Sequence, residues 1–350
     1  MANPRFVPSL ESVRGLAALT VCLFHAADSL FQGGMVLSEK NVFRMFLNGH
    51  GAIVLFFVLS GFVLRRSLQK ASSTALDYVI ARAFRLFPII FVSIAIFVAI
   101  AWLVHDREPQ LSVVLRNAFL IEFTVNNALW TLQVEMYGSL IVLAAYLLER
   151  RWGVRIVVAL LAALLPLSFT GHRWAIGPGS PGMFYTFLLG YLIAVLPPPR
   201  FKRPWRAVAT LGVALLAFYG VHVYGYVLMP WHLLVTALSA AAIIRVLSSE
   251  RYCNSLQWAP VRLLGTVSYS FYVFHPLGLQ VQNGLSVPIG SLSLPLWLAT
   301  TVMLALPAIV TIIIAVPMYV LIERTGISLG RAIVSQRHHA RSELPQTPIG

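Results

Sequence analysis

Residues 86–104 read LFPIIFVSIAIFVAIAWLV, a run of nineteen residues without a charged side chain. Because an α-helix rises about 1.5 Å per residue, such a run is long enough to cross a hydrocarbon layer of roughly 30 Å. The whole chain has the same character: of its 350 residues 58% are hydrophobic and 11% charged, and its mean hydropathy is +0.80. Soluble domains carry about 25% charged residues. The composition therefore predicts a polytopic membrane protein with an all-α fold.

Apolar segments of similar length recur along the chain and predict a bundle of about ten transmembrane helices. The first carries Arg14 and His25 and is too long for the apolar core of a signal peptide, so we expect a membrane helix there. Pro307 and Pro317 predict a kink in the last one. The ten predicted segments are residues 13–31, 49–64, 86–104, 129–148, 153–170, 183–197, 206–223, 229–248, 264–283 and 296–322.

The distribution of basic residues predicts the orientation of this bundle. With the amino terminus in the cytoplasm, 21 of the 26 lysine and arginine residues fall on the cytoplasmic side, as the positive-inside rule requires. Both termini are therefore expected inside. Topology and attraction to anionic lipid explain the net charge of +14, so it does not indicate a nucleic-acid partner. The basic residues on the other side are Lys40, Arg44, Arg107, Arg116 and Arg173.

The carboxyl-terminal segment differs from the rest in composition. We predict a membrane domain over residues 1–325 and a flexible cytoplasmic tail over residues 326–350, because the tail is polar and contains Pro345 and Pro348. The only cysteines, Cys22 and Cys253, lie in or beside apolar segments and predict neither a metal site nor a redox function.

Polar residues inside the apolar segments are the candidates for function, since burying them in lipid is costly unless they are paired or hydrated. Arg14 and His25 are eleven positions apart, which puts them on one helix face about 16 Å apart along the axis. A neutral imidazole at that depth can act as a general base. The alternative is an arginine that reaches the membrane surface and a histidine that only bonds a neighbouring helix.

Other candidates lie near the predicted cytoplasmic ends of helices. Arg82 and Arg85 share one face and suit a phosphate ligand, although on spacing alone positive-inside charge explains them better. Arg65 and Arg66 follow the second segment and are candidates for the same ligand. In that segment, Ser60 precedes a glycine that permits close approach of a ligand or, as the simpler alternative, of another helix.

Two further segments carry buried polar groups. Glu135 follows Trp130 by five residues and is predicted to orient an imidazolium, to pair with an arginine, or to hold substrate. Tyr269, Tyr272 and His275 recur at helical spacing before Pro276, which we expect to break the helix. An aromatic belt at the membrane interface would explain the tyrosines, but it explains His275 less well.

Taken in order, these motifs resemble the membrane acyltransferase-3 family, which O-acylates glycans and other hydroxyl compounds. The resemblance covers nearly the whole chain. Its departures are Val54, where the family often has an acidic residue, Met136 in place of a second acid, and Thr325 in place of a proline. The motifs are Arg14 and His25 with GLAAL between them, FFVLSGF at residues 56–62, ARAFRLFP at 81–88, LWTLQVE at 129–135, SYSFYVFHP at 268–276 and IER at 322–324.

The resemblance implies an enzyme of the bacterial inner membrane that modifies polysaccharide, including exopolysaccharide. It would take an acyl group, usually acetyl, from cytoplasmic acyl-CoA as co-substrate, with no permanently bound cofactor. The acceptor would be a hydroxyl of a glycan or lipid-linked glycan. The implied catalytic residues are His25 as base with Arg14 and Glu135; Arg82 and Arg85 belong to the donor side, with Arg65 and Arg66 beside them. Trp130, Ser60, Tyr269, Tyr272 and His275 are the predicted substrate-binding residues.

Two other functions fit the residues alone. A secondary transporter or flippase for a lipid-linked or anionic solute would also need intramembrane histidine, carboxylate and arginine. A sensory or accessory membrane protein without chemistry is the third interpretation. The sequence predicts no oligomeric state.

Overall fold

The structure is a computed structural model, and all of its regular elements in the described residues are helices. The described residues are 7–32, 47–69, 74–105, 110–169, 181–224, 230–249, 251–291 and 295–342.

Thirteen α-helices follow one another in the described chain. Short 3₁₀ turns precede α5 and α7 and follow α6, and a π-helical turn, Tyr319–Glu323, joins α12 to α13. The helices are α1 (Pro8–Gln32), α2 (Gly49–Leu68), α3 (Ala75–His105), α4 (Leu111–Ala118), α5 (Trp130–Trp152), α6 (Arg155–Leu164), α7 (Phe184–Val195), α8 (Pro204–Tyr224), α9 (Pro230–Leu247), α10 (Ala259–Thr266), α11 (Ser268–Ser291), α12 (Leu296–Met318) and α13 (Arg324–Ser342).

Each of the ten predicted segments overlaps at least one helix, and the all-α fold is confirmed for the described residues. Within those residues six helices are long and apolar enough to cross a membrane, and three more apolar helices are shorter. Ten spans and the inward orientation of both termini therefore remain predictions. Several basic residues used for the orientation lie outside the described residues: Arg5, Lys40, Arg44, Lys70, Arg107 and Arg173.

The second helix, α2, lies at the centre of the bundle and is mostly buried. It packs against α1, α5, α7 and α9. Its closest contact is with α7, where Gly61 faces the backbone of Phe187 and Gly190 faces the backbone of Val58, so a Cβ at either glycine would overlap a carbonyl oxygen. Small residues allow this approach of two helices in a membrane, and the contact at Gly61 is one of helix packing, which was the simpler of the two expectations for it.

Side-chain amides fix the segment that leads into α5. Asn126 donates to the Val273 carbonyl of α11 at 3.1 Å, and its Oδ1 accepts from the Ala128 amide at 3.0 Å. Gln133 donates to the carbonyl of Leu120 at 2.8 Å. Leu120 itself has φ of 58°, in the left-handed region that leucine rarely adopts. These bonds hold the start of α5, and with it Glu135, against α11.

The chain beyond Thr325 is helical as far as Ser342, where the sequence led us to expect a flexible tail. This helix, α13, packs along α3. This helix has a polar outer face and therefore no long apolar run, so hydropathy does not predict it. The remaining tail residues, 343–350, lie outside the described residues, and the domain division at residue 325 stays a prediction.

Candidate active site

A cavity of about 490 Å³ opens where the first half of α1 meets the second half of α2. The first turns of α3, α5 and α11 complete its walls, together with the π-helical turn and α13. We call it the arginine cavity after the five arginines in its lining: Arg14, Arg66, Arg82, Arg85 and Arg331. Its acidic lining residues are Glu11, Glu135 and Glu323.

One arginine of the cavity is neutralised by a carboxylate. Arg82 Nη2 donates to Glu135 Oε1 at 2.7 Å, and both side chains are at most one-fifth exposed. One turn away on each helix, the Tyr78 hydroxyl donates to the Ser139 carbonyl at 3.0 Å. Of the three roles considered for Glu135, the geometry supports pairing with an arginine.

In the described chain, the other cavity arginines have no carboxylate as close as the one that neutralises Arg82. Arg14 donates from Nε to the Ser268 hydroxyl at 2.7 Å, and its nearest carboxylate contact, Glu11, is at 4.0 Å. The guanidinium of Arg66 lies 5.3 Å from the Phe62 ring centroid. Within the described residues, no carboxylate lies within 4.0 Å of Arg66, Arg85 or Arg331. The cavity therefore has an unbalanced positive charge that suits an anionic ligand.

Glu323 and Arg331 are cavity residues that the sequence did not single out. The carboxylate of Glu323 is 2% exposed and accepts a hydrogen bond from Ser270 at 2.7 Å. Its only sequence signal was the IER motif, to which no role was attached. Arg331 lies on α13, in the segment predicted to be a flexible tail.

Ser60, Tyr269 and Tyr272 line the cavity, and their role in substrate binding stays a prediction. Trp130 is half-buried against the hydrophobic core and does not line it.

Arg65 is also absent from the cavity. Its Nε and Nη2 donate to the two carboxylate oxygens of Glu149 at 3.1 and 3.0 Å. Tyr191 donates to the same carboxylate, and the rings of Tyr146 and Tyr191 flank the guanidinium at 5.1 and 5.0 Å. Arg65 is 6% exposed in this cluster.

Two histidines lie beyond the inner end of the cavity. The Tyr272 ring is 5.4 Å from the ring of His275, which stacks on that of His25 at 5.6 Å with an interplanar angle of 16°. His275 is 3% exposed, whereas His25 is exposed, and neither lines the cavity. The structure thus brings His25 next to His275, which in turn contacts Tyr272. Asp28, one helical turn beyond His25, is a carboxylate that the sequence analysis passed over.

The expectation that Pro276 breaks its helix is wrong, because α11 runs without interruption from Ser268 to Ser291. Pro276 has no amide hydrogen to donate to the Tyr272 carbonyl, four residues earlier. His275 Nδ1 lies 2.6 Å from that carbonyl oxygen and replaces the missing bond. The helix therefore continues through the proline.

Fold and site together define a helical, multi-pass membrane protein whose arginine cavity leads toward a stacked histidine pair. The family described as "Acyltransferase domain", Acyl_transf_3, matches residues 7–319. The chain belongs to this family, so it is an enzyme that transfers acyl groups. The family predicted from the motifs is confirmed.

Curated relatives carry names consistent with this membership. The chain is 25% identical to "Putative membrane-bound transacylase BcsY" of Komagataeibacter xylinus, over 97% of this chain and 88% of the relative. It is 25% identical to "Exopolysaccharide production protein ExoZ" of Rhizobium meliloti, over 89% and 96%. The match to "Peptidoglycan O-acetyltransferase OatA" of Listeria monocytogenes, 24% identical, covers 77% of this chain but 49% of the relative. No solved structure gives a significant match to the chain.

Proposed function

We propose that the protein moves an acetyl group from cytoplasmic acetyl-CoA to a hydroxyl of a glycan or lipid-linked glycan. The observation that carries this proposal is the arginine cavity, which is lined by Tyr272; the Tyr272 ring contacts His275, and His275 stacks on His25. It offers a site for a large anionic donor on one side of the histidine pair. The exposed face of His25 is then left for the acceptor.

The donor side follows from the charges. Coenzyme A carries a diphosphate and a ribose phosphate, and guanidinium groups bind phosphate through charge-assisted hydrogen bonds. Arg66 and Arg85, which have no carboxylate within 4.0 Å in the described chain, are the candidate phosphate ligands. Arg14 lies further along α1, where the pantetheine arm would pass toward Tyr272.

The chemical step requires a base at the acceptor hydroxyl. As the acceptor oxygen forms a bond to the acyl carbon, the carbon–sulfur bond breaks, and the hydroxyl proton passes to the imidazole of His25. The imidazole then returns the proton to the departing thiolate, so the products are an ester and coenzyme A thiol. General-base catalysis of this kind contributes roughly 10²–10⁴ in rate.

The acceptor that we propose is a glycan hydroxyl. The names of the relatives, one an exopolysaccharide production protein and one a peptidoglycan O-acetyltransferase, support a glycan hydroxyl.

The ends of α1 and α2 that border the cavity are those predicted to face the cytoplasm, which supports entry of the donor from that side. We accordingly propose ten spans, both termini inside, in the bacterial inner membrane. The transporter interpretation receives no support from the relatives.

The test is acetyl-CoA binding and slow thioester hydrolysis by the purified protein in lipid nanodiscs, which needs no knowledge of the acceptor. We expect His25→Ala to bind acetyl-CoA like the wild type but to release thiol at least about 100-fold more slowly. The matched control is His339→Ala, an exposed histidine on α13 outside the cavity lining.

Two separate results would contradict the base assignment and the donor assignment. Thiol release that persists in His25→Ala would remove His25 as the base. A wild type that is folded and binds no acetyl-CoA would remove the donor assignment.

A further inference from the structure

The helix α13 begins after the last residue that the family model matches, residue 319. It nevertheless forms one wall of the arginine cavity, through Ile327 and Arg331. Its position is set by α3, the helix that carries Arg82 and Arg85.

Two glycines bring the helices together. A Cβ on Gly326 would overlap the carbonyl oxygen of Phe84, and one on Gly330 would lie 2.8 Å from the Cβ of that residue. Phe84 sits between Arg82 and Arg85 in the sequence. The contact therefore places α13 directly against the turn of α3 that supplies two cavity arginines.

An ionic cluster holds the far end of α13. Asp77 on α3, whose side chain is 5% exposed, lies 3.4 Å from Arg337 Nε and 3.3 Å from His338 Nε2. The same carboxylate accepts hydrogen bonds from the amide and hydroxyl of Thr74 at 2.9 and 2.6 Å. With the glycine contact at one end and Asp77 at the other, the turn that bears Arg331 is held at the cavity mouth.

Arg331 itself is exposed, lines the cavity and has no carboxylate within 4.0 Å in the described chain. Such a guanidinium at the mouth of a positively charged cavity suits a phosphate. Arg324, on the same helix, is equally exposed but does not line the cavity.

We infer that α13 is part of the donor site and that Arg331 binds a phosphate group of acyl-CoA there. The inference rests on the proposed function and deepens it. It adds to the site a residue outside the matched family region, together with a positioning residue, Asp77, that holds the helix in place.

The experiment measures acetyl-CoA affinity in nanodiscs made only of zwitterionic phosphatidylcholine, which offers no anionic headgroup to compete. We expect Arg331→Gln to weaken binding about twofold to fivefold, since solvent weakens an ionic contact at this exposed position. Arg324→Gln, the matched control, keeps wild-type affinity. Asp77→Asn weakens binding through the displaced helix, while the thermal unfolding of its membrane helices stays close to that of the wild type.

Different outcomes separate this inference from the proposed function. If the wild type binds acetyl-CoA and Arg331→Gln binds it equally well, the inference is overturned and the donor site stands. If Arg331→Gln loses only the binding of anionic-lipid vesicles, the phosphate belongs to a lipid headgroup, which also overturns it. If the folded wild type binds no acetyl-CoA, the inference about Arg331 and the proposed donor site are both wrong.

Discussion

Arg65 and Arg66 are neighbours in the sequence, yet the structure gives them opposite surroundings. Arg65 points into the cluster formed by Glu149, Tyr146 and Tyr191, where its charge is neutralised. Arg66 points into the arginine cavity, where no carboxylate of the described residues meets it. Successive residues of a helix are about 100° apart around its axis, so a pair of adjacent arginines can serve two different regions.

The difference shows what separates a structural arginine from a ligand-binding one at the end of a membrane helix. Both satisfy the positive-inside rule, and both are candidates for phosphate by residue type alone. The deciding feature is whether another helix offers a carboxylate at the right depth, as α5 does for Arg65 with Glu149. The variants below test that distinction.

Removing Arg65 should have the largest effect on folding. Arg65→Ala leaves Glu149 buried without its cation, a loss that costs about 3–5 kcal/mol in comparable buried pairs. Arg66→Ala, the matched variant, should change stability by less than about 0.5 kcal/mol because its side chain has no carboxylate to leave behind. Thermal unfolding of both variants in one lipid composition provides the comparison. Equal losses of stability would show that the two arginines do not differ as described.

The two arginines of α3 should differ in the same way, by a smaller amount. Arg82→Ala leaves Glu135 in the cavity wall without its cation. It is therefore expected to lower both the unfolding temperature and acetyl-CoA affinity. Arg85→Ala should lower affinity alone, by about 1.5–3 kcal/mol if its guanidinium bonds a phosphate. Calorimetric titration together with thermal unfolding distinguishes them. An Arg85→Ala variant with unchanged affinity would exclude Arg85 from the donor site.

The smallest effect is expected from Arg66→Ala on donor binding. Arg66 lines the cavity but is only half-buried, so solvent weakens an ionic contact there to about 1 kcal/mol or less. Its contribution should therefore fade as salt is raised from about 0.1 to 1 M, because the screening length shortens from roughly 10 to 3 Å. Titrations of wild type and variant at the two salt concentrations measure it. A difference in affinity that persists at high salt would argue for a more buried contact.

Much of the fold could be predicted because lipid imposes a simple rule on sequence. A spanning helix must satisfy its backbone internally and present apolar side chains, so the runs of hydrophobic residues marked the helices. Residues 86–104, for example, fall inside α3. The start of α3 was missed because its first turns carry Asp77, Arg82 and Arg85, which break the apolar run.

The sequence named several residues that line the cavity, among them Arg14, Arg82 and Glu135, but it did not give their partners. Pairing with an arginine was one of the three roles expected for Glu135, but nothing in the sequence singled out Arg82, which lies 53 positions earlier in the chain. Arg65 and Glu149 are 84 positions apart. Such pairs depend on the relative depth and rotation of helices, and hydropathy contains neither. Glu323 and Arg331 were missed for a similar reason, since their location depends on how α13 packs along α3.

Pro276 has a consequence beyond the path of α11. A carbonyl oxygen has no hydrogen to offer, so the 2.6 Å contact between it and His275 requires the Nδ1 atom to carry the hydrogen. The neutral ring is then a single tautomer, with its lone pair on Nε2. A residue with no amide hydrogen of its own thus decides which nitrogen of its neighbour can accept a proton. In the imidazole stacked on His25, Nε2 is therefore the one basic atom, because the backbone carbonyl of Tyr272 holds the hydrogen on Nδ1.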